Sequence, residues 1–179
     1  MGAKEVSYMA GMPAILRTRG AVTSVLLILL GVWGGLVPFV GPYFQYAYTP
    51  DVAWHITLAR LWLEIVPAVA VIAGGALVLA STGRLLAGAG AILGALAGAW
   101  FVAGTAVTGL WPQVGTPGVP AGTSATRMVF EELGMFAGLG AVIIFCAALV
   151  LGRASATAPP PWVGPEAETA TRRFPAEES

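Results

Sequence analysis

The stretch Leu63–Ser81, LEIVPAVAVIAGGALVLAS, carries one charge at Glu64 and then none from Ile65 to Ser81. Crossing a bilayer core takes about 20 helical residues, and lipid offers no partner to an unpaired backbone N–H or C=O. The stretch therefore predicts a membrane-spanning helix. Working outward, three further runs have the same character, so the spans are expected at 21–40, 63–81, 86–110 and 133–151. The fold class that follows is an all-α membrane protein, a four-transmembrane-helix bundle.

Composition agrees with that reading. Of the 179 residues 57% are hydrophobic and 10% charged, with mean hydropathy +0.81, whereas a soluble domain carries about 25% charged residues. The formal net charge is zero. That balance gives no footprint for a nucleic-acid partner. Cys146 is the single cysteine, so neither an intramolecular disulfide nor a CxxC redox pair is available.

Orientation is read from the basic residues flanking the spans. Lys4, Arg17 and Arg19 precede the first, Arg84 lies in the short turn between the second and third, and Arg153 follows the fourth, against Arg60 and Arg127 in the other two loops. The positive-inside rule then puts both termini in the cytoplasm of a cell in whose plasma membrane the protein sits. Residues 1–20 are expected as a cytoplasmic N-terminal segment, 21–153 as the transmembrane domain and 154–179, rich in Pro, Ala, Glu and Thr, as a disordered cytoplasmic tail. Tyr43, Phe44, Tyr46, Tyr48, Trp54, Trp62 and Trp111 would form an aromatic belt at the outer interface.

Sliding the chain along itself by 67 residues aligns Arg17 with Arg84, Gly31-Val-Trp33 with Gly98-Ala-Trp100, Thr49-Pro50 with Thr116-Pro117, and Arg60/Glu64 with Arg127/Glu131. Internal repeats bear on the whole architecture. A duplicated helical hairpin is expected, its two copies related by a pseudo-twofold axis along the membrane normal. Gly90, Gly94 and Gly98, and likewise Gly134 and Gly138, recur at spacing four and are expected to let helices approach closely.

Thr49 followed by Pro50 and Asp51 reads as a helix start, which would place Asp51 and His55 one turn apart, and likewise Arg60 and Glu64. A matching start near Ser124 would carry Arg127 and Glu131. Pro67 should kink the second span just beyond Glu64. Each Arg/Glu pair reads in one of two ways. It is an exposed interfacial salt bridge that fixes a helix end, or the four side chains converge, with His55 and Asp51, on a polar outer pocket for a lipid head group, a partner's charged loop or a small ion.

The lone His55 has no nucleophile placed beside it, and scattered acids without HxxxH or HExxH spacing predict no metal site. No nucleotide-binding glycine motif occurs, so no cofactor is expected. The spans hold almost no ionisable residue to relay a proton or ion, which weighs against a transporter, although an oligomeric channel lined by backbone escapes that objection.

The runs GVWGGLVPFVGPYF, RLWLEIVPAVAVIAGGALVLAS, GAWFVAGTAVTGLWP and EELGMFAGLGA resemble a group of small actinobacterial four-span integral membrane proteins. The resemblance covers about Val25 to Arg153 and implies the topology and a bacterial source, and it brings no catalytic residues. The four-span shape also invites comparison with quinone-linked disulfide-bond enzymes, whose paired cysteines this chain lacks. The expectation is a membrane subunit that binds a lipid, a membrane protein partner or a second copy of itself. A small-solute transporter or oligomeric channel is the alternative, and an outer-face enzyme comes third.

Overall fold

A computed structural model describes residues 3–49, 53–115 and 118–156. Among these residues four helical stretches are long and apolar enough to cross a membrane: Gly20–Phe44, Leu58–Ala80, Arg84–Val107 and Ala125–Ser155. The second and fourth begin earlier than hydropathy alone places them. Their charged first turns are helical, so Arg60, Glu64, Arg127 and Glu131 stand inside the helices. The expected disordered tail from 157 onward lies outside the described residues.

The first helix, Ala3–Val40, passes into a 3-10 turn, Gly41–Phe44, and stops at Gln45. Gln45 adopts a left-handed φ of 57°, and the N–H there donates to the carbonyls of Gly41 and Pro42. A Cβ on Gly41 would collide with the Tyr46 carbonyl oxygen, so the turn back requires glycine there.

The second helix does not start at Thr49. Its N-cap is Thr57, whose Oγ1 accepts from the Arg60 amide at 3.1 Å. Thr49 has other partners: its amide donates to the Val119 carbonyl at 2.9 Å and its hydroxyl oxygen accepts from the Val119 amide at 3.1 Å. With Thr49 held in an extended pairing, its side chain cannot also cap a helix. The distortion expected at Pro67 takes the form of a π turn over Leu61–Ile65, in which the Val66 amide reaches back to the Leu61 carbonyl. A proline lacks the N–H and crowds the carbonyl four residues earlier, and a wider turn just before it relieves that crowding.

The fourth span is built of two helices. Ser124 caps Ala125–Met135, accepting from the Arg127 amide at 3.3 Å, and Phe136 then breaks the run with φ −129° and ψ −85°. The last helix, Ala137–Ser155, follows.

Each helix packs along the next in the chain, and the first closes the ring against the last over a smaller area. Leu27, Val71, Phe101 and Ile143, one from each span, have no exposed surface. Cys146 belongs to the same buried cluster. Glycines set the closest approaches: a Cβ on either Gly74 or Gly90 would lie 2.6 Å from the other's carbonyl oxygen, and one on Gly98 would lie 3.0 Å from the Gly140 oxygen. Leucine, valine and phenylalanine side chains stay exposed around the outside of the ring, among them Leu29, Val69, Leu96 and Phe145. Such a surface suits lipid and would be costly in water.

Candidate functional site

The two long loops meet at one end of the bundle. Tyr48 and Pro120 form an antiparallel bridge, flanked by bonds from Thr49 to Val119 and from the Ala121 amide to the Ala47 carbonyl at 2.9 Å. The Tyr48 ring stacks edge-on against Phe136, with centroids 5.1 Å apart. The helix break therefore sits directly beneath the loop pairing. Burial, reinforced by the negative charges of Glu132 and Glu131, pushes the Tyr48 phenol up to about 12.

Beneath these loops lie the two Arg/Glu pairs, and their environments differ. Arg127 Nε donates to Glu131 Oε1 at 3.2 Å, while Glu131 Oε2 accepts from the Gly122 amide at 2.9 Å. The guanidinium of Arg127 also reaches the Gln45 backbone and side chain through its terminal nitrogens. Glu131 is wholly buried, yet both its oxygens have donors. Tyr46 closes the same corner, donating its hydroxyl to the Phe130 carbonyl at 2.7 Å. Its phenol is raised by burial and then by Glu131.

The other pair is arranged differently. Arg60 Nη1 donates to the His55 carbonyl at 2.8 Å. Glu64 is 4% exposed, and its Oε2 has no hydrogen-bond partner among the described residues. At two positions 67 residues apart, His55 and Gly122, the backbone thus holds the arginine in one pair and the glutamate in the other.

The His55 side chain is exposed, and Asp51 lies outside the described residues. The structure thus brings together Arg127, Glu131 and the first long loop, and separately Arg60, Glu64 and the His55 backbone. Among the described residues no three His, Cys, Asp or Glu side chains group as metal ligands. Of the glycines singled out by spacing, Gly90 and Gly98 stand at close helix approaches and Gly94 makes ordinary contacts. Gly134 lies under the Tyr46 hydroxyl, and Gly138 packs on the Leu133 carbonyl across the helix break. Sequence reasoning missed Gln45 and Gly122 as partners of the second pair, and Tyr46 beside it. A backbone amide and a loop carbonyl carry no residue-type mark, so no pattern points to them.

Two indole contacts tie hairpin to hairpin. Trp33 Nε1 donates to the Gly134 carbonyl at 3.1 Å and Trp100 Nε1 to the Trp62 carbonyl at 2.9 Å. Compared with protein-family models, with curated proteins and with solved structures, the chain matches none.

Proposed function

We propose that the chain is a non-enzymatic multi-pass membrane subunit, its termini cytoplasmic, whose long-loop end binds a lipid head group or a partner subunit at Glu64. The observation that carries this reading is the Glu64 carboxylate oxygen, buried and without a donor among the described residues. A buried polar atom left unpaired is costly, more so if charged, and the cost is relieved by a donor from outside the chain. An ammonium or hydroxyl group, on a lipid or on a partner's side chain, supplies that donor.

The pseudo-twofold reading explains why Glu64 and not Glu131 is left open. Trp33 and Trp100 stand 67 residues apart, but their acceptors Trp62 and Gly134 stand 72 apart. The same two shifts relate Gly31, whose Cβ would meet the Ala68 oxygen, to Gly98, whose Cβ would meet the Gly140 oxygen. Five extra residues thus enter the second copy near Phe136. On a helix they amount to about 7.5 Å, so Glu131 is carried outward to where the Gly122 amide meets it. Glu64, in the copy without them, stays deeper.

Native mass spectrometry of the detergent-purified protein tests the proposal. Wild type should retain a lipid or a second subunit that Glu64→Gln largely loses, and equal retention would overturn the reading. The same buried ionisable group favours a transporter as the second reading, since acids inside spans mark ion and substrate paths. A proteoliposome flux altered by Glu64→Gln, with no retained adduct, would select it.

A further inference from the structure

The end of the bundle opposite the long loops holds a cavity of about 330 Å³ where all four spans converge. Its polar lining is Ser24, Ser81, Thr82, Arg84 and Arg153, and its floor includes the buried Val78 and Val150. No acidic side chain lines it among the described residues, and Glu64, Glu131 and Glu132 stand at the other end. Among the described residues, two cations therefore face one small space without a counter-charge.

Both guanidiniums are held in place. Arg153 Nη1 donates to Thr23 Oγ1 at 3.0 Å, tying the last helix to the first, and Arg84 Nη2 donates to the Ala156 carbonyl, tying the third helix to the end of the last. A guanidinium carries five N–H donors in a planar fork, more than its one anchoring bond uses. Gly83, which begins the third helix, supplies no side-chain cap, so the positive end of that helix adjoins the same space. Ser81 Oγ donates to the Val78 carbonyl at 2.7 Å, which leaves its oxygen as an acceptor, while Ser24, buried in the wall, donates to the Gly20 carbonyl. Leu85, which follows Arg84 in the chain, is 91% exposed.

We infer that this cavity binds a phosphate group carrying a hydroxylated substituent, the phosphate between Arg84 and Arg153 and a hydroxyl on Ser81, supplied by an anionic phospholipid of the adjoining leaflet. The mixed lining suits it: fixed cations for the phosphate, a hydroxyl acceptor for the substituent, an apolar floor, and an exposed leucine next to Arg84 in the chain. The site is separate from the long-loop end, so either assignment can fail alone.

Thermal unfolding of the detergent-purified protein gives the test, with micelles doped with phosphatidylglycerol, with phosphatidylcholine of the same chains, or with free glycerol 3-phosphate added. Phosphatidylglycerol should raise the unfolding temperature in a saturable manner and phosphatidylcholine should not. An arginine near a membrane surface strengthens anionic-lipid binding by about fivefold, so Arg84→Gln with Arg153→Gln should weaken it by about 25-fold. These variants also cut the anchors to Ala156 and Thr23. Thr82→Glu leaves both anchors in place and puts a carboxylate at the exposed rim. It should abolish the phosphatidylglycerol effect without lowering the unfolding temperature in phosphatidylcholine. A comparable rise with glycerol 3-phosphate alone would keep the phosphate site and assign it to a soluble ligand. Equal effects of the two lipids, or a phosphatidylglycerol effect that survives Thr82→Glu, would overturn the inference.

Discussion

At the scale of single residues, Glu64 and Glu131 are the same side chain at the same offset from an arginine with opposite consequences. Glu131 is wholly buried with a donor on each oxygen, so Glu131→Gln removes the charge from a satisfied pair. Its partner Arg127 is 39% exposed, which screens the interaction, and the loss should come to about 1–2 kcal/mol. Glu64→Gln removes a charge that the fold leaves short of a donor, so in lipid-stripped detergent it should unfold at the same temperature as wild type or higher. Parallel melts of the two variants check the contrast, and a larger loss from Glu64→Gln would show that its carboxylate is satisfied within the chain. The RxxxE spacing was legible in the sequence. The difference between the two pairs was not, because it depends on a loop amide outside the helix that carries the pair. Tyr48 adds a pH dependence. Its phenol is raised in the folded state from the ordinary 10 to about 12, so the stability it contributes is whole below pH 10 and is lost as pH climbs towards 12. Tyr48→Phe keeps the ring on Phe136 and should flatten the decline of unfolding temperature across that window.

At the scale of helices, hydropathy located all four spans, because a run of apolar residues near the length of a bilayer core has few alternatives. Their ends were less legible. Ser124 is the N-cap that its residue type and position indicate, but Thr49 is not, since Thr49-Pro50-Asp51 and Thr57 both look like starts and the pairing with Val119 decides between them. The π turn at Leu61–Ile65 and the break at Phe136 answer to crowding and register in three dimensions, which local composition does not encode. Spacing also treats Gly90, Gly94 and Gly98 as one stripe, whereas their surroundings differ. A Cβ at Gly90 would meet the Gly74 carbonyl at 2.6 Å, and one at Gly94 would meet nothing nearer than 3.9 Å. Gly90→Ala should therefore force the second and third helices apart and cost about 1–3 kcal/mol. Gly94→Ala should be neutral or slightly stabilising, because alanine favours the helix. Thermal melts in one detergent separate the two, and equal effects would mean that the helices yield at Gly90.

At the scale of the whole molecule, the two ends differ in chemistry: buried acids beneath paired loops at one, Arg84 and Arg153 around a cavity at the other. Which end meets the cytoplasm decides what each can bind, since the basic end gains most from the anionic leaflet. The positive-inside rule assigns that end to the cytoplasm. The chain offers a direct check, because Cys146, its only cysteine, is buried in the core and should react slowly. His55 and Thr82 are exposed and lie at opposite ends. In intact cells a membrane-impermeant thiol reagent should label His55→Cys and spare Thr82→Cys until the membrane is opened, with wild type as the blank. The reverse pattern would invert the protein, turn the arginine cavity to the outer leaflet and remove the lipid asymmetry that favours its ligand. Labelling of both variants in intact cells would mean two orientations in one population. A chain with five basic residues flanking one face and two the other should not show that, because the bias acts on each copy as it inserts.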